Sequence, residues 1–116
     1  MSFLTTRNIS LTDGQTNYEF EGPYVLGIWR PPSIAGLYAI MHLGAESKYI
    51  VDYIGETKDF LTRGFPWEHE KSACFIREAG SKELVTIAIH PMPDSSKLER
   101  TGIESILVRH WNPSCN

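Results

Sequence analysis

Three runs of β-branched and aromatic residues, each with a glycine or a proline at one end, constrain the fold of this chain most strongly. They span residues 36–41, 48–55 and 83–90. Such residues favour strands, and the short connection between the first two runs favours antiparallel pairing. The sequence therefore predicts a small, mostly antiparallel three-stranded sheet.

Helical signals lie between the second and third runs and after the third. A short helix is expected over residues 58–63 after a Thr57 cap, and a second helix over residues 66–79. Residues 96–99 have the spacing of a capping box and predict a last helix. The order β-β-α-α-β-α predicts an α/β (α+β) fold in which helices flank the sheet.

The first third of the chain has a different pattern. Residues 8–21 alternate apolar and polar side chains around an Asp13-Gly14 turn, which predicts a β-hairpin. Two consecutive prolines at 31–32 then stop helix and central-strand pairing alike. We expect residues 1–34 to form an N-terminal extension that carries this hairpin, and residues 35–116 to form the main domain.

Composition excludes several classes of protein. The chain of 116 residues is long enough for one core only, and 14 acidic against 11 basic residues argue against a long basic surface that wraps duplex DNA. No run predicts a membrane span or a secretory signal. Cys74 and Cys115 are far apart in the chain, so we expect no disulfide scaffold or zinc site, a buried apolar role for Cys74, and a cytoplasmic location.

The residues that could carry chemistry follow these elements in order. Taken singly, each has a structural explanation, because a glycine beside a strand aromatic is often a packing site and a helical glutamate is often solvated. They are Gly36-Leu37-Tyr38, Tyr53-Ile54-Gly55, Arg63, Glu104 and Pro113-Ser114-Cys115-Asn116.

Together these residues resemble the GIY-YIG nuclease family, including its excision-repair type, over residues 35–116. Here the first motif has leucine in place of isoleucine, and the loop between the two motifs is longer than usual. The resemblance implies a GIY-YIG nuclease-like fold and a divalent-metal-dependent endonuclease that hydrolyses phosphodiester bonds of DNA.

The resemblance also implies roles for individual residues. Glu104 would hold one Mg²⁺ or Mn²⁺, and Arg63 would bind a nonbridging phosphate oxygen with its planar guanidinium. Tyr38 would orient the water or take its proton, Tyr53 would bond the phosphate or the water, and His69 is a candidate to assist as a base. We expect Tyr38, Tyr53, Arg63 and Glu104 to line one concave surface, with Asn116 also in the site.

Other cations near the Arg63 segment are candidates for contacts with the nucleic-acid backbone, although a solvated face explains them equally well. The nucleic-acid-binding candidates are Lys58, Arg63, Lys71 and Arg77.

Two other functional classes stay open. The same fold could be a catalytically weak or inactive module that binds nucleic acid or protein. The chain could also be an interaction protein that forms a homodimer through its N-terminal extension. DNA is the expected partner, RNA is an open alternative, and no membrane contact is expected.

Overall fold

The structure, a computed structural model, describes residues 8–116. It is an α+β fold built on one antiparallel sheet with the strand order β1-β2-β5-β3-β4. The strands are β1 (Asn8–Thr12), β2 (Asn17–Val25), β3 (Gly36–Leu43), β4 (Tyr49–Thr57) and β5 (Thr86–Pro91). The helices are α1 (Ser72–Ala79) and α2 (Lys97–Trp111), with short 3₁₀ turns at Leu26–Ile28, Ala45–Ser47, Phe60–Thr62 and Lys82–Leu84.

The prediction of three strands is wrong, because the sheet has five. The predicted hairpin forms, but it joins the main sheet. β5 pairs with β3 along one edge, and β2 pairs antiparallel with its other edge. Leu11 and Phe20 of the hairpin are buried in the same apolar cluster as Leu107 of α2. Burial of this apolar face explains why the hairpin extends the sheet.

The sheet lies between the two helices, and alternate residues of its strands face opposite sides. Tyr38, Ile40 and Ile87 pack with Phe75 of α1 on one side. The other side carries Leu37, Ala39 and Ile54, which pack with Leu107 of α2.

Two helix predictions need correction. The segment after β4 forms only a 3₁₀ turn, and its cap is the Asp59 carboxylate, which accepts from the Leu61 N–H, instead of Thr57. The following helix begins at Ser72, not at Pro66. The backbone N–H of Lys71 is bonded to the His69 side chain, so residues 66–71 form turns. Among residues 8–116, neither α-helix has the length and apolar content that crossing a membrane requires.

The capping box predicted for α2 is confirmed. The Ser96 hydroxyl accepts from the Glu99 backbone N–H, and the Glu99 carboxylate accepts from the Ser96 N–H. Two of the unpaired donors at the helix start are satisfied in this way.

The cysteine expectation is also wrong. Cys74 of α1 forms a disulfide with Cys115, which follows α2. The pairing arises because residues 115–116 run beside β4, where the Cys115 N–H donates to the Asp52 carbonyl. The cysteines therefore no longer support a reducing location.

Glycines allow the tyrosine of β3 to lie across β4. Tyr38 is opposite Gly55 in the β3–β4 register, and a Cβ at Gly55 would lie 2.5 Å from the Tyr38 Cζ and Oη atoms. A Cβ at Gly36 would meet the His90 carbonyl and the Phe60 ring. Both motifs thus require glycine because neighbouring groups approach the backbone too closely to leave room for a Cβ atom.

We expect Gly55→Ala to destabilise the protein by about 2 kcal/mol or more, because the Tyr38 ring and its hydrogen bond would be displaced. The matched control is Gly102→Ala in α2, where a Cβ meets nothing within 4 Å. That substitution should stabilise the protein by about 0.5–1 kcal/mol through helix propensity. Urea unfolding measures both, and equal effects at the two sites would contradict the packing argument.

Candidate active site

A buried hydrogen bond joins the first motif to the turn before α1. The Tyr38 hydroxyl lies 2.7 Å from His69 Nε2, and both residues are almost completely buried. The other ring nitrogen of His69, Nδ1, accepts from the Lys71 N–H at 3.0 Å. Because Nδ1 is an acceptor, the neutral ring carries its proton on Nε2 and donates it to Tyr38.

Burial lowers the pKa of His69 to about 4, and the neighbouring charge of Arg63 acts in the same direction. The ring is therefore neutral near pH 7. Nδ1 accepts a hydrogen bond from a backbone N–H, and Nε2 already carries a proton. His69 therefore has no nitrogen available to act as a general base in this arrangement.

The second motif tyrosine lies beside the first. The ring centroids of Tyr38 and Tyr53 are 5.9 Å apart. Burial raises the pKa of both hydroxyls. Tyr53 is only partly buried, whereas Tyr38 has no exposed surface.

Arg63 binds a carboxylate of the protein itself. Its Nη1 and Nη2 atoms donate to the two carboxylate oxygens of Glu70 at 2.9 and 2.6 Å. This bond to Arg63 lowers the pKa of Glu70 to about 2 and raises that of Arg63. Glu70 follows His69, which bonds Tyr38, so the Arg63–Glu70 pair lies next to the tyrosine cluster, and the charge of Arg63 acts on both tyrosines.

Glu104 comes from the other side of the sheet, because α2 packs on the face opposite the tyrosines. Burial raises its pKa, and the negative charge of Glu56 raises it further, whereas the backbone N–H of Glu56 and the charge of Arg63 lower it. The charge of Glu104 in turn raises the pKa of Tyr53. The expectation that these four residues line one concave surface is therefore not met, because the tyrosines face α1 and Glu104 lies on α2 across the sheet. The link between them is electrostatic, through the charges that act on Tyr53.

A cavity of about 440 Å³ lies at the outer edge of β4. It is lined by Arg63 and Lys58, two of the predicted nucleic-acid contacts, together with Lys97 and Arg100, which were not among the predicted contacts. Its lining residues are Glu56, Thr57, Lys58, Arg63, Lys97 and Arg100.

The two missed cations are held by an acid of β4. Glu56 accepts from Arg100 Nε at 2.9 Å and from Lys97 Nζ at 3.2 Å. Arg100 Nη1 also donates to the Ser95 carbonyl and hydroxyl, which fixes this buried side chain. A signal for both was present in the sequence, because Lys97, Arg100 and Glu104 follow the three- and four-residue spacing of one helix face.

The other nucleic-acid candidates lie outside this cavity. Lys71 is exposed just before α1, and its backbone N–H binds His69. Arg77 is exposed on α1, where it pairs with Glu78 and donates to the Cys74 sulfur. Neither side chain lines the cavity that holds Arg63.

Asn116 holds the edge strand. Its side-chain Oδ1 accepts from the Ile54 N–H at 2.9 Å, and its Nδ2 donates to the Ile54 carbonyl at 2.8 Å. With the bond from Cys115 to Asp52, the amide extends the ladder along β4. Asn116 is therefore a positioning residue for the strand that carries Tyr53 and Gly55.

Glu104 is the metal-binding residue that the family resemblance implies, and its surroundings fit a cation bound through few protein ligands. In the part of the chain that the structure describes, no group of three or more His, Cys, Asp or Glu side chains could hold a metal ion. Mg²⁺, however, is commonly held by one or two carboxylates, with water and substrate phosphates completing its shell. Glu104 can supply that single carboxylate, because it is partly buried and its neighbour Glu56 is already bound to Lys97 and Arg100.

No family model, curated protein or solved structure matches this chain. The family resemblance therefore remains a prediction from the motif residues.

We expect His69 to make folding sensitive to mild acid. The unfolded chain takes up a proton on this residue near pH 6.5 and the folded chain only near pH 4. Stability should therefore be complete above about pH 6.5 and fall by up to about 3 kcal/mol as the pH drops to about 4.

Urea midpoints measured between pH 7 and pH 4 test this expectation. His69→Gln keeps a donor for Tyr38 and should remove that component of the pH dependence, whereas His110→Gln controls for loss of an exposed histidine. An unchanged pH profile in His69→Gln would contradict the assignment.

Proposed function

We propose that this protein is a divalent-metal-dependent endonuclease with a GIY-YIG nuclease-like site, acting on phosphodiester bonds of DNA. The observation that carries the proposal is the cavity at the edge of β4, which four cationic side chains line, Arg63 among them. The charges of Arg63 and Glu104 both act on the nearby Tyr53 hydroxyl. Such a site combines an oxyanion ligand, a hydroxyl and a carboxylate. These are the groups that phosphodiester hydrolysis needs from a protein.

The cationic side chains would hold the sugar–phosphate backbone. Arg63 would bind the scissile phosphate through two parallel N–H bonds, and the exposed Lys58 and Lys97 would contact neighbouring phosphates from the same cavity. Their charges are partly balanced by Glu56, and the whole chain carries a net charge of −3. We therefore expect weak and salt-sensitive binding.

Tyr53 is the tyrosine that we assign to the substrate, because Tyr38 is completely buried and already bonded to His69. Burial raises the pKa of Tyr53 above its ordinary value, so the hydroxyl is neutral near pH 7. It would therefore orient the attacking water or the phosphate by hydrogen bonding. Tyr38 and His69 would hold Tyr53 in place.

Glu104 would hold the metal ion. When bound, the ion supplies Lewis-acid stabilisation of the phosphate charge and lowers the pKa of a coordinated water. A tyrosinate base is then unnecessary. The role of Glu104 itself is to stay ionised beside Glu56, and a cation at this position favours that state.

Glu104→Gln should abolish metal-dependent nicking of supercoiled plasmid, a loss of about a hundredfold or more, while metal-free DNA binding is kept or increased. Nicking in Mg²⁺ or Mn²⁺ and anisotropy of a labelled duplex in EDTA measure the two properties. Glu83→Gln, an exposed acid in the turn before β5, is the matched control. Nicking that survives in both Glu104→Gln and Arg63→Ala would reject this site.

Removal of the hydroxyl should affect activity at Tyr53 and stability at Tyr38. Tyr53→Phe should lower the nicking rate about tenfold or more with little change in stability. Tyr38→Phe leaves the His69 donor unpaired and should cost about 1–3 kcal/mol of stability. Single-turnover nicking and urea unfolding of both variants test the assignment. Full activity in Tyr53→Phe together with an unchanged stability in Tyr38→Phe would contradict it.

A second candidate is a module that binds nucleic acid without cleaving it. The pairing of Arg63 with Glu70 favours this function, because the phosphate ligand is occupied within the protein. Salt-dependent DNA binding by the wild type, without nicking at any metal concentration, would support the second candidate over the first.

A further inference from the structure

We propose that Glu70 sets the affinity threshold of the Arg63 site: its carboxylate occupies the guanidinium as an internal competitor, which an anion with several contacts in the cavity displaces most readily. This inference rests on the proposed function, because it assumes that Arg63 binds substrate phosphate. It adds a residue that the motif resemblance does not include.

The geometry of the pair is that of an occupied anion site. Both terminal nitrogens of Arg63 donate to Glu70, one to each carboxylate oxygen, at 2.9 and 2.6 Å. Two nonbridging phosphate oxygens offer the same parallel pair of acceptors. A phosphate therefore cannot take both donors of Arg63 while Glu70 keeps them.

The two partners differ in their freedom to move. The Arg63 side chain is 24% exposed, whereas that of Glu70 is 60% exposed. Glu70 follows His69, whose ring is fixed by bonds to Tyr38 and to the Lys71 N–H. The backbone at Glu70 is thus held, while its carboxylate has access to water. Displacement would swing the Glu70 carboxylate into solvent and leave Arg63 in the site.

Protonation of Glu70 does not release Arg63 at physiological pH. The bond to Arg63 lowers the pKa of Glu70 to about 2, so the carboxylate stays ionised across the physiological range. The incoming anion must therefore outcompete a full negative charge that is already in place.

The neighbouring cations explain why a phosphate chain succeeds where a single phosphate does not. Lys58 and Lys97 line the same cavity as Arg63, are exposed, and would bind adjacent phosphates at the same time. Binding at those positions raises the effective concentration of the next phosphate at Arg63. An isolated oxyanion lacks this advantage and faces Glu70 alone. Glu70 thus raises the affinity that any anion must reach at Arg63, and the neighbouring cations allow a phosphate chain to reach it.

Glu70→Gln removes the competing charge and tests the inference directly. The matched control is Glu68→Gln, which removes one negative charge from an exposed side chain two residues away. Both substitutions are also made in an Arg63→Gln background. Anisotropy of a labelled DNA duplex in EDTA measures affinity without the metal, and thermal unfolding verifies that each variant is folded.

We expect Glu70→Gln to tighten DNA binding about fivefold and Glu68→Gln less than about twofold. In the Arg63→Gln background the two substitutions should have equal effects, because only the general charge change is left. Equal effects in the presence of Arg63 would overturn the inference. Weaker binding by Glu70→Gln would also overturn it and would make Glu70 a positioning residue for Arg63.

A second readout separates this inference from the proposed function. The Nε–Hε resonance of Arg63 is followed by NMR during titration with inorganic phosphate. In Glu70→Gln it should shift at several-fold lower phosphate than in the wild type. If no variant binds DNA and this shift occurs, the proposed function fails and the competition by Glu70 stands. If DNA binding depends on Arg63 but the phosphate titrations coincide, only the inference fails.

Discussion

The close approach of β3 and β4 at Tyr38 and Gly55 is the constraint on which the site depends. Any side chain at position 55 would occupy the space that the Tyr38 ring and hydroxyl fill. With glycine there, the ring lies over β4, reaches His69 and contacts Tyr53. The alternation of tyrosine and glycine in the two motifs is therefore a packing requirement first. The chemistry proposed for the site uses the position that this packing gives to Tyr53.

The outer edge of β4 carries groups that face opposite sides of the sheet. Tyr53 and Glu56 belong to the same strand but face α1 and α2 respectively. An edge strand has unpaired backbone groups, and here Cys115 and Asn116 bind those of Asp52 and Ile54. Farther along the same edge the cavity opens. The covered part gives the strand rigidity, and the open part gives a ligand access.

Local patterns predicted much of this fold, because they depend on neighbours in the chain. The hairpin at Asp13-Gly14 and the capping box of α2 are of this kind. The strand count was missed because the pairing of β2 with β5 joins segments more than sixty residues apart, and no local pattern encodes it. The Cys74–Cys115 disulfide was missed for the same reason. At the site, the motifs indicated Tyr38, Tyr53, Arg63 and Glu104, whereas the partner of Arg63 is defined by side-chain geometry alone.

The pairing of charges changes what the acidic composition implies for a phosphate ligand. A net charge of −3 suggests repulsion, but two acids near the site, Glu56 and Glu70, are bound to Lys97, Arg100 and Arg63. Their charges are therefore neutralised locally, and a phosphate that enters exchanges one anionic partner of Arg63 for another. Such an exchange has a small net free energy, since both pairs are charge-assisted and both anions are partly solvated when apart. Affinity must then come from several phosphates bound together, which makes the spacing of the cations along the β4 edge more important than their number.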